Sequence, residues 1–209
     1  EMQGTFVYHE SVPEIISQFP EIEAALRTLS ITHTKIRVDN EDFSELNLIS
    51  ADSTLEKFFP IEPLVGVIKE ALTHPGTIAI SQEVAKRCFG TIDCIGKLLE
   101  MPQSEKKAYR IVAVFSLPPQ SMLKADMLTS LKAQEGVTCS ILLKPGTDID
   151  AFRQRFETTE LPTLLGKGYY RTLTLQESYF NTTLQDSDHC IEHRQSALLS
   201  VGLLSALLI

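Results

Sequence analysis

Hydrophobic and polar residues follow two periods along this chain, and the shorter period predicts a strand-rich protein. Short alternating or apolar runs bounded by turn-forming residues are typical of β-strands. Such runs occur, in chain order, at residues 5–8, 32–38, 46–50, 77–81, 98–101, 108–117, 137–144 and 169–175. The polar stretch 39–45 is predicted to be a turn between two of these strands, and the polar stretch 102–107 to be the turn of a hairpin.

The longer period predicts a helix near the start of the chain. Ser11 followed by Glu14 has the spacing of a capping box, so we expect Ser11 to cap this helix. Its apolar face is predicted to consist of Ile15, Ile16 and Phe19. Pro20 should end the helix. Residues 20–30 predict either a second short helix or a strand, and intrinsic propensity favours the helix.

Two further helices carry clear signals at their ends. Ser81 is a favourable N-cap and Gly90 a favourable C-terminal stop for the helix between them. Another helix begins after either Thr147 or Asp148 as its cap. Its buried side is predicted to consist of Ile149, Phe152 and Phe156. Strand and helix units at both ends, with a strand-rich block between them, predict an α+β domain that carries an inserted lobe.

Composition and charge narrow the class of protein. A chain of 209 residues can form one sizeable domain or two small lobes with a hydrophobic core. Hydrophobic residues make up 43% and charged residues 22%, which is ordinary for a globular protein. The net charge of −8 argues against binding to nucleic acid, because a nucleic-acid-binding surface would be basic.

The loop GTIDCIGKL invites comparison with the phosphate-binding P-loop but does not fit it. Five residues separate Gly90 from Gly96, where the P-loop has four, and Leu98 follows Lys97 where a Ser or Thr would hold magnesium. The loop also follows a helix, so no helix N-terminus faces it. We therefore expect a structural turn and no cofactor.

The sequence HCIEH offers a second chemical hypothesis. His189, Glu192 and His193 fit the H-x-x-E-H pattern, in which two histidines hold zinc beside a glutamate base. Such a site needs a third protein ligand, and only sixteen residues follow, most of them apolar. The simpler interpretation is a polar stretch that happens to contain two histidines, so no catalytic or metal-binding residue is assigned.

The four cysteines do not form a recognisable framework. They are Cys88, Cys94, Cys139 and Cys190, and no CxxC pair is present. Cys88 and Cys139 lie among apolar residues, which favours a role as small buried side chains over a role as nucleophiles. Cys94 lies in a turn six residues after Cys88, so an oxidising compartment would allow a disulfide between them, and this alternative stays open.

Three longer stretches share their order and spacing with one protein family. They are IAISQEVAKRCFGTIDCIGKLLE with YRIVAVFSLPPQSMLKADML, then ILLKPGTDIDAFRQRF, and finally LTLQESYF. Together they resemble the extracytoplasmic core domain of MacB-like and FtsX-like ABC-transporter permeases, particularly those of Bacteroidetes type. The resemblance runs from about Pro20 to the C-terminus. Cys94 stands where the family usually has proline, and Ala113 where it usually has glycine.

The resemblance implies a definite architecture. It implies a MacB-like periplasmic core domain with a discontinuous, membrane-proximal αβ lobe from residues 1–51 and 136–187. It also implies an inserted strand-rich lobe from residues 52–135, which by analogy is the surface for partners. Residues 188–209 would then be a stalk and the start of a transmembrane helix.

The apolar run SALLSVGLLSALLI, residues 196–209, acquires a new interpretation from the resemblance. Fourteen helical residues span about 21 Å, short of the roughly 30 Å hydrocarbon core, and such a length by itself indicates a buried core helix. The run has no polar face, however, and the family places the second membrane helix here. We interpret it as part of a truncated transmembrane helix, with Gly202 and Ala206 offering a small-xxx-small face.

The function implied by the resemblance is that of a non-enzymatic domain in an ABC-transporter permease. Its partners would be the rest of the permease, a cytoplasmic ATPase, a second permease subunit, the membrane and an unidentified periplasmic partner or substrate. The protein would reside in the inner membrane with this domain outside. Two alternatives stay open: a zinc-dependent hydrolase built on His189, Glu192 and His193, and a tethered extracytoplasmic binding module.

Overall fold

The computed structural model describes residues 7–8, 10–104, 108–132, 136–163 and 166–174. The strands are β1 (Val7–Tyr8), β2 (Ile22–Val38), β3 (Glu41–Ala51), β4 (Glu62–Gly66), β5 (Thr77–Ser81), β6 (Leu98–Glu100), β7 (Ala108–Ser116), β8 (Met127–Ser130), β9 (Gly136–Leu143), β10 (Leu161–Thr163) and β11 (Gly166–Gly168). The helices are α1 (Ser11–Gln18), α2 (Leu55–Phe58), α3 (Ile68–Thr73), α4 (Gln82–Phe89) and α5 (Ile149–Thr158). The α+β class predicted from the sequence is confirmed.

The described residues form two compact units. Unit 1 contains residues 7–27 and 136–174, and unit 2 is Thr28–Lys132. Strand β2 begins in unit 1 and ends in unit 2. Each unit has its own cluster of buried hydrophobic side chains.

Unit 2 is built on a mixed sheet with the strand order β2-β3-β8-β5-β7-β4, and β6 pairs with both β2 and β7. The β3–β8 and β5–β7 pairs are parallel, and the other described pairs are antiparallel. Helices α3 and α4 pack against the central strands. The largest wholly buried side chains of this core include Ile36, Ile78, Ile80, Leu99 and Ile111.

Unit 1 places two helices beside a smaller set of strands. Strand β9 lies between β1 and β2, and β10 pairs with β11 in a separate hairpin. The core of this unit consists of Ile15, Phe19, Ile22, Phe152, Phe156 and Leu161. We call the three aromatic rings among them the phenylalanine cluster (Phe19, Phe152 and Phe156); their centroids lie 5.0 to 5.7 Å apart.

Several elements begin and end where their local signals predict. β5 covers the predicted residues, and the Ser81 hydroxyl accepts a hydrogen bond from the Val84 N–H at the start of α4. Gly90 ends α4 with a φ of 69°. Asp148, one of the two predicted caps, accepts hydrogen bonds from two N–H groups in the first turn of α5. The predicted hairpin of β6 and β7 and the strand β9 are also present.

The helix predicted for residues 20–30 is wrong, because this segment is the start of the long strand β2. Ile22, Ala24 and Leu26 are buried and Glu23 is exposed, which is the period of a strand. Pairing with neighbouring strands satisfies the backbone and outweighs the helix propensity of the alanines and leucine.

The predicted seven-residue turn 39–45 is also wrong, since only two residues form the turn. Asp39 and Asn40 have φ values of 50° and 67°, and Val38 pairs directly with Glu41. Positive φ at both central residues is the geometry of a type I′ hairpin turn, in which Asn and Asp are well tolerated. Residues 41–45 therefore belong to β3 despite their polarity.

Three smaller predictions fail at the ends of unit 1. Ser11 does not cap α1, because it is the first residue inside the helix and Glu10 occupies the N-cap position. Ile149 is 55% exposed, so the buried side of α5 consists of Phe152 and Phe156. Residues 169–174 have no regular secondary structure, and the last described strand is β11.

Four elements of unit 2 carried no clear signal in the sequence. They are α2, β4, α3 and β8. Strands β4 and β8 are only five and four residues long, and Pro63 interrupts the pattern of β4. Their place is fixed by pairing with β7, β3 and β5 rather than by local propensity.

Candidate functional site

The loop between Gly90 and Leu98 is built as a turn against strand β7. Gly96 has a φ of 84°, and its N–H donates a hydrogen bond of 2.8 Å to the Ile111 carbonyl. The Ile111 N–H in turn donates to the Lys97 carbonyl at 2.9 Å. The Lys97 ammonium lies 5.1 Å from the centre of the Phe89 ring, a cation–π distance. The backbone group and the lysine that a phosphate site would use are therefore engaged within the fold.

The disulfide that the sequence left open is not formed in the structure, because Cys88 and Cys94 are not bonded to each other. Burial raises the pKa of the Cys88 thiol to about 11, and burial also raises the pKa of Cys94. Because the thiolate is the reactive form, both side chains are poor nucleophiles at neutral pH. Cys94 is in fact part of the core of unit 2.

The zinc hypothesis concerns residues outside the described chain. His189, Glu192 and His193 all lie beyond residue 174, as does Cys190. Within the described residues, no three His, Cys, Asp or Glu side chains are grouped so that they could hold a metal ion. The zinc-dependent hydrolase therefore stays a prediction, which elemental analysis of protein purified without a histidine tag would test.

One exposed histidine does contact a carboxylate. The Nδ1 atom of His33 lies 2.5 Å from Oε2 of Glu45, across an irregular part of the β2–β3 pair where both residues have positive φ. Both side chains are more than two-thirds exposed. Exposed ion pairs contribute little to stability, and no third ligand among the described residues converts this pair into a metal site.

Asp126 is the partly buried carboxylate that joins three strands of unit 2. Its Oδ2 atom accepts a hydrogen bond of 2.8 Å from the Asn47 N–H, and its own N–H donates to the Asn47 carbonyl at 2.9 Å. Its carbonyl accepts a bond of 2.8 Å from the Ser81 N–H. Burial raises the pKa of Asp126, the Asn47 bond lowers it, nearby Glu83 raises it and Arg87 lowers it. These contacts align the middle of β3 and the start of β8 with the end of β5.

A second charged group closes the phenylalanine cluster of unit 1. The Arg155 guanidinium lies 5.3 Å from the centre of the Phe19 ring and also bonds the Glu21 carboxylate. The hydrogen bond from Arg155 lowers the pKa of Glu21. Lys144 donates a hydrogen bond of 2.6 Å to the Pro20 carbonyl beside it. These polar contacts fasten α5 and the end of β9 to the start of β2.

In the described chain, the Gly90–Leu98 loop forms a turn, Cys94 packs in a core, and Asp126 and Arg155 connect neighbouring elements. The described chain is an α+β domain of two units.

Comparison with known families identifies the domain. The profile of the MacB-like periplasmic core domain matches residues 3–159, so the chain belongs to this family. The family predicted from the three sequence stretches is confirmed. A search by sequence among curated proteins gave no significant match.

Solved structures agree with this assignment. The chain is similar to a domain of a protein described as a permease from Porphyromonas gingivalis, with 25% identity and a TM-score of 0.62, covering 73% of this chain and 76% of that one. The periplasmic region of MacB from Actinobacillus actinomycetemcomitans has 12% identity and a TM-score of 0.57, covering 74% and 72%. The extracellular domain of the noncanonic ABC-type transporter YknZ from Gram-positive bacteria has 12% identity and a TM-score of 0.58, covering 72% and 80%.

The chain is therefore a MacB-like periplasmic domain of the ABC-transporter permease family, which is not a known class of enzyme. Among the helices of the described chain, none has the length and apolar character needed to cross a membrane. The apolar run 196–209 lies outside the described residues.

Proposed function

We propose that this chain is the extracytoplasmic domain of an ABC-transporter permease subunit, and that it has no catalytic chemistry of its own. It couples ATP hydrolysis by a separate or fused cytoplasmic ATPase to a change of conformation outside the membrane. That change drives substrate export or regulates envelope proteins. The observation that carries the proposal is the family match over residues 3–159, three quarters of the chain.

The proposal gives the parts of the chain different tasks. Residues 1–51 and 136–187 act as the membrane-proximal lobe, although residues 28–51 of this lobe belong to unit 2. Residues 52–135 act as the inserted lobe that meets partners, and residues 188–209 as a stalk and the start of a transmembrane helix. The permease acts as a dimer in the inner membrane, with this domain on the periplasmic or outer side.

The physical mechanism is the displacement of rigid parts. Unit 1 and unit 2 each have a separate close-packed core, and a close-packed core moves as a body rather than deforming continuously. A lobe fixed to membrane helices therefore changes position when those helices move. In this mechanism ATP is bound and hydrolysed elsewhere, and the domain responds only to the position of the membrane helices.

The test uses the complete permease reconstituted in liposomes with its ATPase. The native cysteines are replaced by alanine, and Glu56 on the exposed side of α2 is replaced by cysteine and labelled with an environment-sensitive fluorophore. We expect ATP to change the emission only when the ATPase can hydrolyse it. The matched controls are a hydrolysis-deficient ATPase and the isolated 209-residue chain with ATP. An unchanged signal during active turnover, or ATP hydrolysis by the isolated chain, contradicts the proposal.

A further inference from the structure

Residues 169–174, which we call the strap, are held to unit 1 without being part of a sheet. They have no regular secondary structure, yet their exposure alternates as in an extended strand. Tyr170, Thr172 and Thr174 are half-buried, and Tyr169, Arg171 and Leu173 are exposed. Every second side chain of the strap therefore faces the rest of unit 1. Hydrogen bonds that involve side chains hold the strap in place, whereas a strand in a sheet is held by hydrogen bonds between backbones.

The first anchor of the strap is the hydroxyl of Tyr170. It donates a hydrogen bond of 2.8 Å to the Pro162 carbonyl and lies 3.2 Å from the Ser11 hydroxyl. Ser11 is completely buried, so its hydroxyl needs a partner inside the protein. The Tyr170 ring also packs against the core that contains the phenylalanine cluster. This one side chain connects the strap to α1, β10 and the core between them.

The second anchor is the carboxylate of Glu157 near the end of α5. Its Oε1 atom accepts hydrogen bonds from the Thr172 N–H at 2.9 Å and from the Thr172 hydroxyl at 3.1 Å. Hydrogen bonds to a charged acceptor are stronger than neutral ones. Glu157 thus holds the backbone of the strap. In α5 it directly follows Phe156, a member of the phenylalanine cluster.

We propose that the strap is a force-bearing link between the C-terminal continuation of the chain and unit 1. A pull on residues beyond 174 reaches the anchors at Thr172 and Tyr170, and these residues pass it to α5, α1 and β10. The load therefore enters through the helices beside the phenylalanine cluster and through the Pro162 carbonyl, and not only along the chain into β11. This inference rests on the proposed function, in which the continuation leads to a membrane helix that moves.

Hydrogen exchange on the 209-residue chain tests the anchor. Replacing Glu157 by alanine removes the acceptor, so we expect the Thr172 amide to exchange about ten- to a hundredfold faster, the range for losing hydrogen bonds to a charged group. Glu160→Ala is the matched control, because Glu160 is exposed and makes only a weak ion pair, in which its Oε2 atom lies 3.9 Å from Nζ of Lys167. It should leave the Thr172 amide within about twofold of wild type. Equal exchange in the two variants overturns the proposal.

A milder variant guards against general loss of folding. Thr172→Val keeps the N–H that bonds Glu157 and removes only the hydroxyl, so its strap should loosen less than that of Glu157→Ala. Amides of β9 should keep their wild-type exchange in both variants. If β9 loosens as much as Thr172, Glu157 is a general stabiliser of unit 1 and the strap is not a separate link.

Optical-tweezers extension tests whether the strap bears force. DNA handles are attached to cysteines at positions 154 and 176 in a background without native cysteines. Release of the strap adds about six residues, roughly 20 Å of chain. We expect this step at a lower force in Glu157→Ala than in Glu160→Ala, and equal forces overturn the proposal. Neither measurement needs a membrane. If both give the expected result and the reconstituted permease still shows no response to ATP, only the proposed function is contradicted.

Discussion

At the scale of single residues, Asp126 offers a test of how a partly buried carboxylate affects unit 2. Its pKa is raised in the folded protein, chiefly by burial, so the folded state holds the proton more tightly than the unfolded state. Stability contributed by this group is therefore present at acid pH and falls as pH rises through the interval between the unfolded and the folded pKa. The hydrogen bond from the Asn47 N–H acts in the opposite direction, because it lowers the pKa of Asp126 and favours the charged form.

Two substitutions separate the charge of Asp126 from its hydrogen bond. Asn keeps an oxygen that accepts from Asn47 and removes the buried charge, so we expect Asp126→Asn to be at least as stable as wild type at pH 7 and to lose this part of the pH dependence. Asp126→Ala leaves the N–H without that acceptor and should cost about 1–3 kcal/mol. Urea unfolding between pH 4 and pH 8 measures both, and an Asn variant as unstable as the Ala variant contradicts the account.

Gly66 is the residue at which the backbone tolerates no side chain. Its φ is 76°, and a Cβ built there would lie 2.0 Å from the Val112 carbonyl oxygen of the neighbouring strand. Gly96 is the matched control in the same unit, with a φ of 84° and no atom within 4 Å of its Cβ position. We expect Gly96→Ala to cost about 1–2 kcal/mol from backbone strain alone, and Gly66→Ala to cost clearly more because β4 must also move. Equal losses of unfolding free energy would show that β4 is not held this closely.

At the scale of elements, the sequence predicts those whose ends are set by local chemistry. The helix α4 is the clearest example. The Ser81 hydroxyl caps its start, and Gly90, which has no side chain, adopts the positive φ that ends it. The start of β2 shows the opposite case. Ile22, Ala24 and Leu26 do alternate, but alanine and leucine are also good helix formers, and only pairing with distant strands decides between the two.

In the candidate site too, features set by local sequence were predictable and contacts between distant residues were not. The sequence correctly indicated that the Gly90–Leu98 loop is a turn, because the spacing of its glycines and lysine departs from the phosphate-binding pattern. The strap could not be foreseen, since Glu157 and Thr172 are fifteen residues apart with a hairpin between them. The family itself was recognisable because its motifs are glycines, prolines and caps, which define the backbone at many points.

At the scale of the whole molecule, the separation of the two cores predicts separate stabilities. Phe156 belongs to the core cluster of unit 1, and Phe115 is a wholly buried residue of β7 in unit 2 that lies outside the main cluster. Neither of the two clusters contains a residue of the other unit. Replacing a buried phenylalanine by alanine costs about 3–5 kcal/mol in the core that loses it. Phe156→Ala should therefore speed exchange of the β9 amides and spare those of β5, and Phe115→Ala should do the reverse. Native-state hydrogen exchange measures both sets in one sample. If either substitution loosens β9 and β5 equally, the units unfold as one, and the picture of two bodies that move separately in the permease fails with it.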